Sequence, residues 1–184
     1  MTDRPILFSD PMIRALLHGR KTQTRRVLKP TLDGFQSPLY RRGDRLWVRE
    51  CFGFDTPSGL AGLIKVKFRA TNGLAVPPFS GWNPSIHMPR KHSRITLTVT
   101  DVRVQRVQDI SEADAEAEGA PAQEPALDVA PERGLPTTPY RVGFRSLWNS
   151  LNEGRGYGWG SNPMVCALTF SVDHCNIDWM GADT

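Results

Sequence analysis

The run Arg94-Ile95-Thr96-Leu97-Thr98-Val99-Thr100-Asp101-Val102-Arg103-Val104-Gln105-Arg106-Val107 decides how this chain is read. Apolar and polar residues alternate along it, the two-residue period of a half-buried strand. Ile95, Leu97 and Val99 share one face, whereas Val102 and Val104 fall on the opposite parity. That slip predicts a bulge or bend near Thr100-Asp101, as a small barrel needs in order to curve. Outward from it, Arg45 to Phe52 follows a Gly43-Asp44 turn, with Leu46, Val48 and Phe52 on one face and Trp47, Arg49 and Cys51 on the other. Ile64, Val66 and Phe68 alternate with Lys65, Lys67 and Arg69, and Val165 to Val172 reads as a closing apolar strand. Helices are few. Asp10-Pro11 opens one, Met12, Ile13, Leu16 and Leu17 form its stripe, and Gly19 ends it. Ser111 opens a second, with Asp114 three residues on, and Gly119 closes it. Phe144, Leu147, Trp148 and Leu151 at i, i+3, i+4 and i+7 mark a third. Several half-buried strands and few helices predict the α+β class, a small mixed barrel with flanking helices.

The 184 residues suit a single domain spanning 1–184. Proline- and glycine-rich stretches near 53–80 and 120–142 read as loop insertions, and the tail after Asp173 as frayed or lightly docked. With 39% apolar and 23% charged residues, the chain reads as globular rather than disordered. Its apolar runs are too short for a bilayer span or a signal peptide, and no membrane partner is expected. Three cysteines at scattered positions argue against a disulfide framework or a cysteine zinc site, so the expected location is cytoplasmic. His18, His87, His92 and His174 have no metal-ligand spacing, and neither a dinucleotide loop nor a P-loop is present; no metal or cofactor is expected.

The net charge of +4 is unevenly distributed. Arg14 to Arg49 holds ten Lys and Arg against Asp33 and Asp44, whereas Asp109 to Arg133 holds eight acids against one base. A basic segment of this kind can steer a phosphate-bearing ligand; it can equally be a solvated face.

Five blocks carry a family resemblance: ILFSDPMIRALLHGRKTQTRR, GDRLWVRE, NPSIHMPR, SRITLTVTDVRVQRVQDISEADAEAEG and LWNSLNEGRGYGWGSNPMV. In these the chain resembles the ASCH domain family, most of all its longer phage- and prophage-encoded members. The resemblance implies a PUA-like β-barrel with flanking helices around a basic cleft. It leaves function open, since the family includes presumed RNA-binding proteins, reported nucleases and small amidohydrolases acting on N4-acetylcytidine. The last group's first motif is similar to Gly19-Arg20-Lys21-Thr22-Gln23-Thr24-Arg25-Arg26, and its second to Ile110–Glu118. Position by position, the resemblance puts the family's catalytic lysine, threonine and glutamate at Lys21, Thr24 and Glu118. Ala113 stands where the second motif has lysine, and the insertions are absent from the small amidohydrolases.

The chemistry of these side chains fits such a role on stated conditions. A threonine hydroxyl needs a base, and a lysine serves as one only when its pKa falls through burial or nearby positive charge. Arg20, Arg25 and Arg26 supply that charge in sequence. A helical turn would bring Lys21 and Thr24 to one side and an extended segment to opposite sides, so a turn is expected here. Arg26 or a backbone N–H would hold the oxyanion, and Glu118 would move a proton. The products would be cytidine and acetate. The alternatives are that Lys21 and its arginines coat an RNA- or DNA-binding loop without catalysis, that the same lysine serves a ribonuclease, and that Glu118 is plain solvated surface. Around this centre, Arg20, Arg26, Trp47, Arg49, Glu50, Arg90, Tyr157 and Trp159 are candidates for substrate or nucleic-acid contact. The aromatics among them offer stacking surfaces or, for Trp47 and Trp159, packing. Glu50 is read as pairing with Arg45, Arg49 or Arg90, and the cysteines as core filler.

Overall fold

The structure, a computed structural model, describes residues 1–55, 64–73, 81–124 and 138–180. It contains two compact units. One comprises Met1–Gly19, Gly43–Val99 and Ser171–Thr184, the other Arg20–Arg42 and Thr100–Phe170. Parts of both sequence-predicted insertions, 56–63, 74–80 and 125–137, lie outside the described residues.

In the first unit the strand order is β1-β5-β8. Strand β1 (Asp3–Leu7) runs parallel to β5 (Arg45–Arg49), with Asp3 opposite Arg45 and Leu7 opposite Arg49. Strand β5 is antiparallel to the start of β8 (Thr96–Arg106), with Leu46 opposite Leu97. Leu46 and Val48 are buried and Trp47 and Arg49 half-buried, the alternation expected of this segment. The strand stops at Arg49 rather than at Phe52. Phe52 opens β6 (Phe52–Asp55), which pairs with β7 (Lys65–Phe68) in a separate two-stranded sheet. Helix α1 (Asp10–Leu17) buries Met12, Ile13, Ala15 and Leu16. Its N-cap is Ser9, not Asp10; the Asp10 carboxylate instead accepts from Arg69 Nε, just inside the short helix α2 (Arg69–Asn72). Gly19, at φ +69°, ends α1 as expected, its N–H donating to Leu16 O. Past Asp173 the described residues, to Met180, are docked. Ile177 is buried, and Asn176 Nδ2 donates to the carbonyls of Arg90 and Ser93.

In the second unit the order is β8-β9-β2. Strand β2 (Gln23–Val27) is antiparallel to β9 (Met164–Asp173), from Gln23 opposite Thr169 to Val27 opposite Val165. A small hairpin, β3 (Pro30–Thr31) and β4 (Gly34–Phe35), follows. Helix α3 (Glu112–Ala117) starts as the sequence predicts, with Ser111 Oγ accepting the Asp114 N–H at 3.1 Å. Helix α4 (Pro139–Asn152) begins ahead of its apolar stripe. Its exposed N–H groups are satisfied by Glu112, whose carboxylate accepts from the N–H groups of Tyr140 and Arg141 at 2.8 and 2.9 Å and from the Thr138 hydroxyl. Val107, Ile110, Ala115, Phe144, Trp148, Trp159 and Val165 form the core. Gly143 is required for packing: a Cβ there would lie 1.7 Å from the Pro121 carbonyl oxygen.

In the long strand Thr100 and Asp101 are both exposed, where the sequence places the slip; beyond them Val102, Arg103 and Gln105 are half-buried and Val104 is 50% exposed. Arg103 faces carboxylates, its Nη2 donating to Asp114. Parallel and antiparallel pairings with four α-helices among the described residues make the fold α+β, as expected.

Candidate functional site

The site is built where the chain enters β2. Thr22 N–H donates to the Ala117 carbonyl at 2.8 Å, and the Phe170 N–H donates to Thr22 O at 3.0 Å, so the segment is held between the end of α3 and β9. A helix end leaves carbonyls without partners and attracts a cation. Lys21 fills that role. It is 1% exposed, and its Nζ donates to Glu118 O at 2.7 Å, to Glu118 Oε2 at 2.9 Å and to Gln23 O at 2.8 Å. The third of these bonds places the amine against the peptide that joins Gln23 to Thr24.

From Gln23 onward the strand period takes over. Gln23 and Arg25 lie on one face and Thr24 and Arg26 on the other. Arg25 is buried with its guanidinium over the Phe144 ring; Nη1 donates to Glu118 Oε1 at 3.1 Å and Nη2 to Asp114 Oδ2 at 3.0 Å. Asp114 also accepts from Gln23 Nε2 at 2.8 Å and from Arg103 Nη2 at 3.1 Å. Asp114 and Glu118 sit four residues apart on α3 and its C-cap, hence on one face. Three acids of the run are therefore not solvated surface. Glu112 caps α4, Asp114 holds Gln23, Arg25 and Arg103, and Glu118 holds Lys21 and Arg25.

Burial depresses the Lys21 pKa; Glu118 opposes that shift, and the charges of Arg26 and Arg25 reinforce it. The net direction is toward the free amine. Asp114 is pushed up by burial, but its hydrogen bond from Gln23 and the charges of Arg25 and Arg103 prevail and hold it below the usual carboxylate range.

The structure brings Lys21 and Glu118 into direct contact. Thr24 is buried in the middle of β2, opposite Leu168. The turn expected between Lys21 and Thr24 is absent, because pairing with β9 extends the chain from Gln23; Lys21 instead curls its side chain forward along the backbone. Arg20 is exposed, and Arg26 is half-buried on the Thr24 face of β2. Tyr157 is half-buried, its carbonyl accepting from Trp148 Nε1 at 2.7 Å. Trp159 is a core residue at 2% exposure, packed on Phe144 and beneath the Arg141 guanidinium, so it offers no open stacking surface.

The remaining candidates belong to the first unit. Arg49 lies over the Trp47 ring at 5.2 Å and donates to the carbonyls of Met88 and Ile86. Glu50 is buried and pairs with Arg94, at 2.8 and 2.9 Å, not with Arg45, Arg49 or Arg90. Arg45 is bound to Asp3, and Arg90 to Asp3 and Asp178. The basic run is thus divided: Lys21 and Arg25 are interior and Arg45 is paired, while Arg14, Arg20, Lys29, Arg41 and Arg42 are exposed. The cysteines fit their reading as core filler at Cys51 and Cys166, where burial pushes the Cys166 thiol up to about 11. Among the described residues no group of His, Cys, Asp and Glu is placed to hold a metal ion, and no helix is long and apolar enough to cross a membrane.

Sequence reading missed Gln23, Arg94 and Arg103, saw Arg25 only as positive charge near Lys21 and saw Asp114 only as a cap. Parity with Lys21 and the four-residue step back from Glu118 were the available signals.

No family model and no curated protein sequence matches the chain. Two solved structures are similar to it. One is protein EF3133 from Enterococcus faecalis V583, described with the family DUF984, at 13% identity and a TM-score of 0.47, covering 96% of this chain and 83% of the other. The second is an ASCH domain from Lactobacillus crispatus JV V101, at 13% identity and a TM-score of 0.45, covering 93% and 79%.

Proposed function

We propose that this chain is a metal-independent amidohydrolase of the ASCH type, acting on N4-acetylcytidine or a related acylated nucleoside. The observation that carries the reading is the interior Lys21, its amine held between the Glu118 carboxylate and the peptide leading into Thr24. The amine satisfies two carbonyls and a buried carboxylate, and it adds to these bonds a proton site whose pKa burial has lowered. In the proposed reaction the Thr24 oxygen attacks the acyl carbon and its proton passes by way of a water to Lys21, as the free amine, since the extended strand turns the Thr24 side chain away from the Gln23 and Arg25 face. The tetrahedral adduct then breaks its C–N bond, and the nucleobase amine leaves with a proton delivered through Glu118 and Lys21. Water hydrolyses the resulting threonine ester to acetate and restores the hydroxyl. Arg26, on the Thr24 face, is the candidate partner for the oxyanion.

The test is incubation of the purified protein with N4-acetylcytidine, following formation of cytidine and acetate. Turnover by wild type, lost in Thr24→Val and Lys21→Met proteins that still melt cooperatively, supports the reading. No turnover by wild type across a panel of acylated nucleosides sinks it.

A second reading, a nucleic-acid-binding module, rests on the exposed Arg20, Lys29, Arg41 and Arg42 with the exposed Phe35 of the β3–β4 hairpin. Binding of single-stranded RNA that weakens steeply with salt, and persists in Thr24→Val, would favour it.

A further inference from the structure

We infer that Arg25, braced by Asp114, is the positioning residue of this site: it fixes the Glu118 carboxylate against Lys21. The inference rests on the amidohydrolase reading but concerns two residues to which the resemblance assigns no role.

The geometry is a relay of three layers. Asp114 Oδ2 accepts from Arg25 Nη2 at 3.0 Å, Arg25 Nη1 donates to Glu118 Oε1 at 3.1 Å, and the other carboxylate oxygen, Oε2, accepts from Lys21 Nζ at 2.9 Å. Both oxygens of Glu118 are thereby assigned, one to a cation that cannot release a proton and one to a cation that can. The carboxylate cannot rotate away from Lys21 without giving up Arg25. Arg25 itself has little freedom. Its side chain is fully buried, its guanidinium lies over the Phe144 ring, and Asp114 anchors its far end while Gln23 and Arg103 hold Asp114.

The charges facing Lys21 are Glu118 on the α3 side and Arg25 and Arg26 on β2. Arg25 acts on the amine twice in the same direction. Its own charge disfavours the ammonium, and its hold on Glu118 draws away part of the negative charge that would favour it. Removing Arg25 therefore raises the Lys21 pKa. Neutralising Asp114 removes a negative charge and frees Arg25 to bind Glu118 more fully, so the Lys21 pKa falls. A packing role alone predicts no such opposition of sign.

The experiment uses full-length protein with 13C-labelled lysine side chains, the Lys21 resonance being assigned by its disappearance in Lys21→Met. In Arg25→Gln the Lys21 titration midpoint should rise by about one unit or more, in Arg25→Lys it should stay within about half a unit of wild type, and in Asp114→Asn it should move down. With N4-acetylcytidine, both Arg25 variants should lose kcat by about tenfold or more, with KM changed by about twofold or less, because an acid–base group is misplaced while the groups that bind substrate stay where they are. Arg25→Lys thus restores the titration but not the rate. Unchanged Lys21 titration in folded Arg25→Gln, or a downward move, overturns the inference. If Arg25→Gln does not fold, an unmoved or rising midpoint in Asp114→Asn overturns it just as well. Shifts of the expected signs without turnover by wild type would leave the relay standing and remove the amidohydrolase reading.

Discussion

Each unit buries a glutamate against a cation, and the two pairs are built differently. In the first unit Glu50 takes both oxygens to the fork of Arg94, whose other face lies 4.0 Å from the Phe68 ring centre. In the second, Glu118 divides its oxygens between Arg25 and Lys21. The first arrangement is closed: arginine holds its proton at any ordinary pH, and the bidentate geometry leaves no oxygen for chemistry. The second contains a group that can titrate. A buried glutamate therefore marks different roles, and the identity of the cation separates a structural pair from a candidate acid–base pair. The fork on Glu50 does not cancel its burial, which keeps its pKa above the usual carboxylate value; for Lys21 burial likewise outweighs the pull of Glu118.

The strongest way to break this contrast is to make the second pair resemble the first. Lys21→Arg keeps the charge and removes the titratable amine, so turnover of N4-acetylcytidine should fall by about 10²–10⁴-fold, the usual worth of a general base. Activity within a few-fold of wild type would show that the lysine serves as a fixed charge. Next, Arg94→Lys deprives Glu50 of its fork and Phe68 of its stacked guanidinium. Denaturant titration should report a destabilisation of about 1–3 kcal/mol, since a buried acceptor is left short of donors.

Smaller effects appear as pH dependence. Glu50 has a folded pKa raised above 4.5, so its contribution to stability is fully present below the unfolded value and lost as pH rises through the folded one. Lys21 has a folded pKa below 10.5, so the unfolded chain binds more protons between the two values and stability gains with rising pH there. Melting curves of Glu50→Gln and Lys21→Met against wild type should lose these two slopes, one on the acid side and one on the alkaline side. The smallest change expected is at the half-open rim of the first unit. Burial raises Asp3, but hydrogen bonds from Arg45 and Arg90 outweigh it and bring its pKa below 3.8. Its contribution is present above that value and lost as pH falls through the folded pKa. At neutral pH Asp3→Asn should cost less than about 1 kcal/mol in a denaturant titration, since Arg90 is well exposed and water screens such pairs.

Much of the frame was legible along the chain. The α1 stripe with Gly19, the Ser111 cap, Phe144 and Trp148 of the α4 stripe and the inward face of Ile95, Leu97 and Val99 all follow from local rules of capping and period, whereas Leu151, read as part of that stripe, is 53% exposed. The strands β1 and β2 were not seen, because DRPIL and QTRRV lack alternating apolar residues; what makes them strands is a partner, β5 for one and β9 for the other. In β8 the alternation is interrupted at Thr100-Asp101, as apolar parity suggested, but of the two valines beyond it only Val102 is half-buried; Val104 is exposed and Arg103 turns to Asp114.

The resemblance, carried over residue by residue, nominated Lys21, Thr24 and Glu118; residue types and spacing by themselves offered only an amine amid arginines and an acid at a helix end. That the two meet, that Thr24 lies in a strand rather than on a helical turn, and that Arg25 and Asp114 stand behind them were decided only in three dimensions. Lys21 and Glu118 are separated by 97 positions, and the forces joining them, a helix end short of donors and two carboxylates turned toward buried cations, exist only once α3 has been laid against β2.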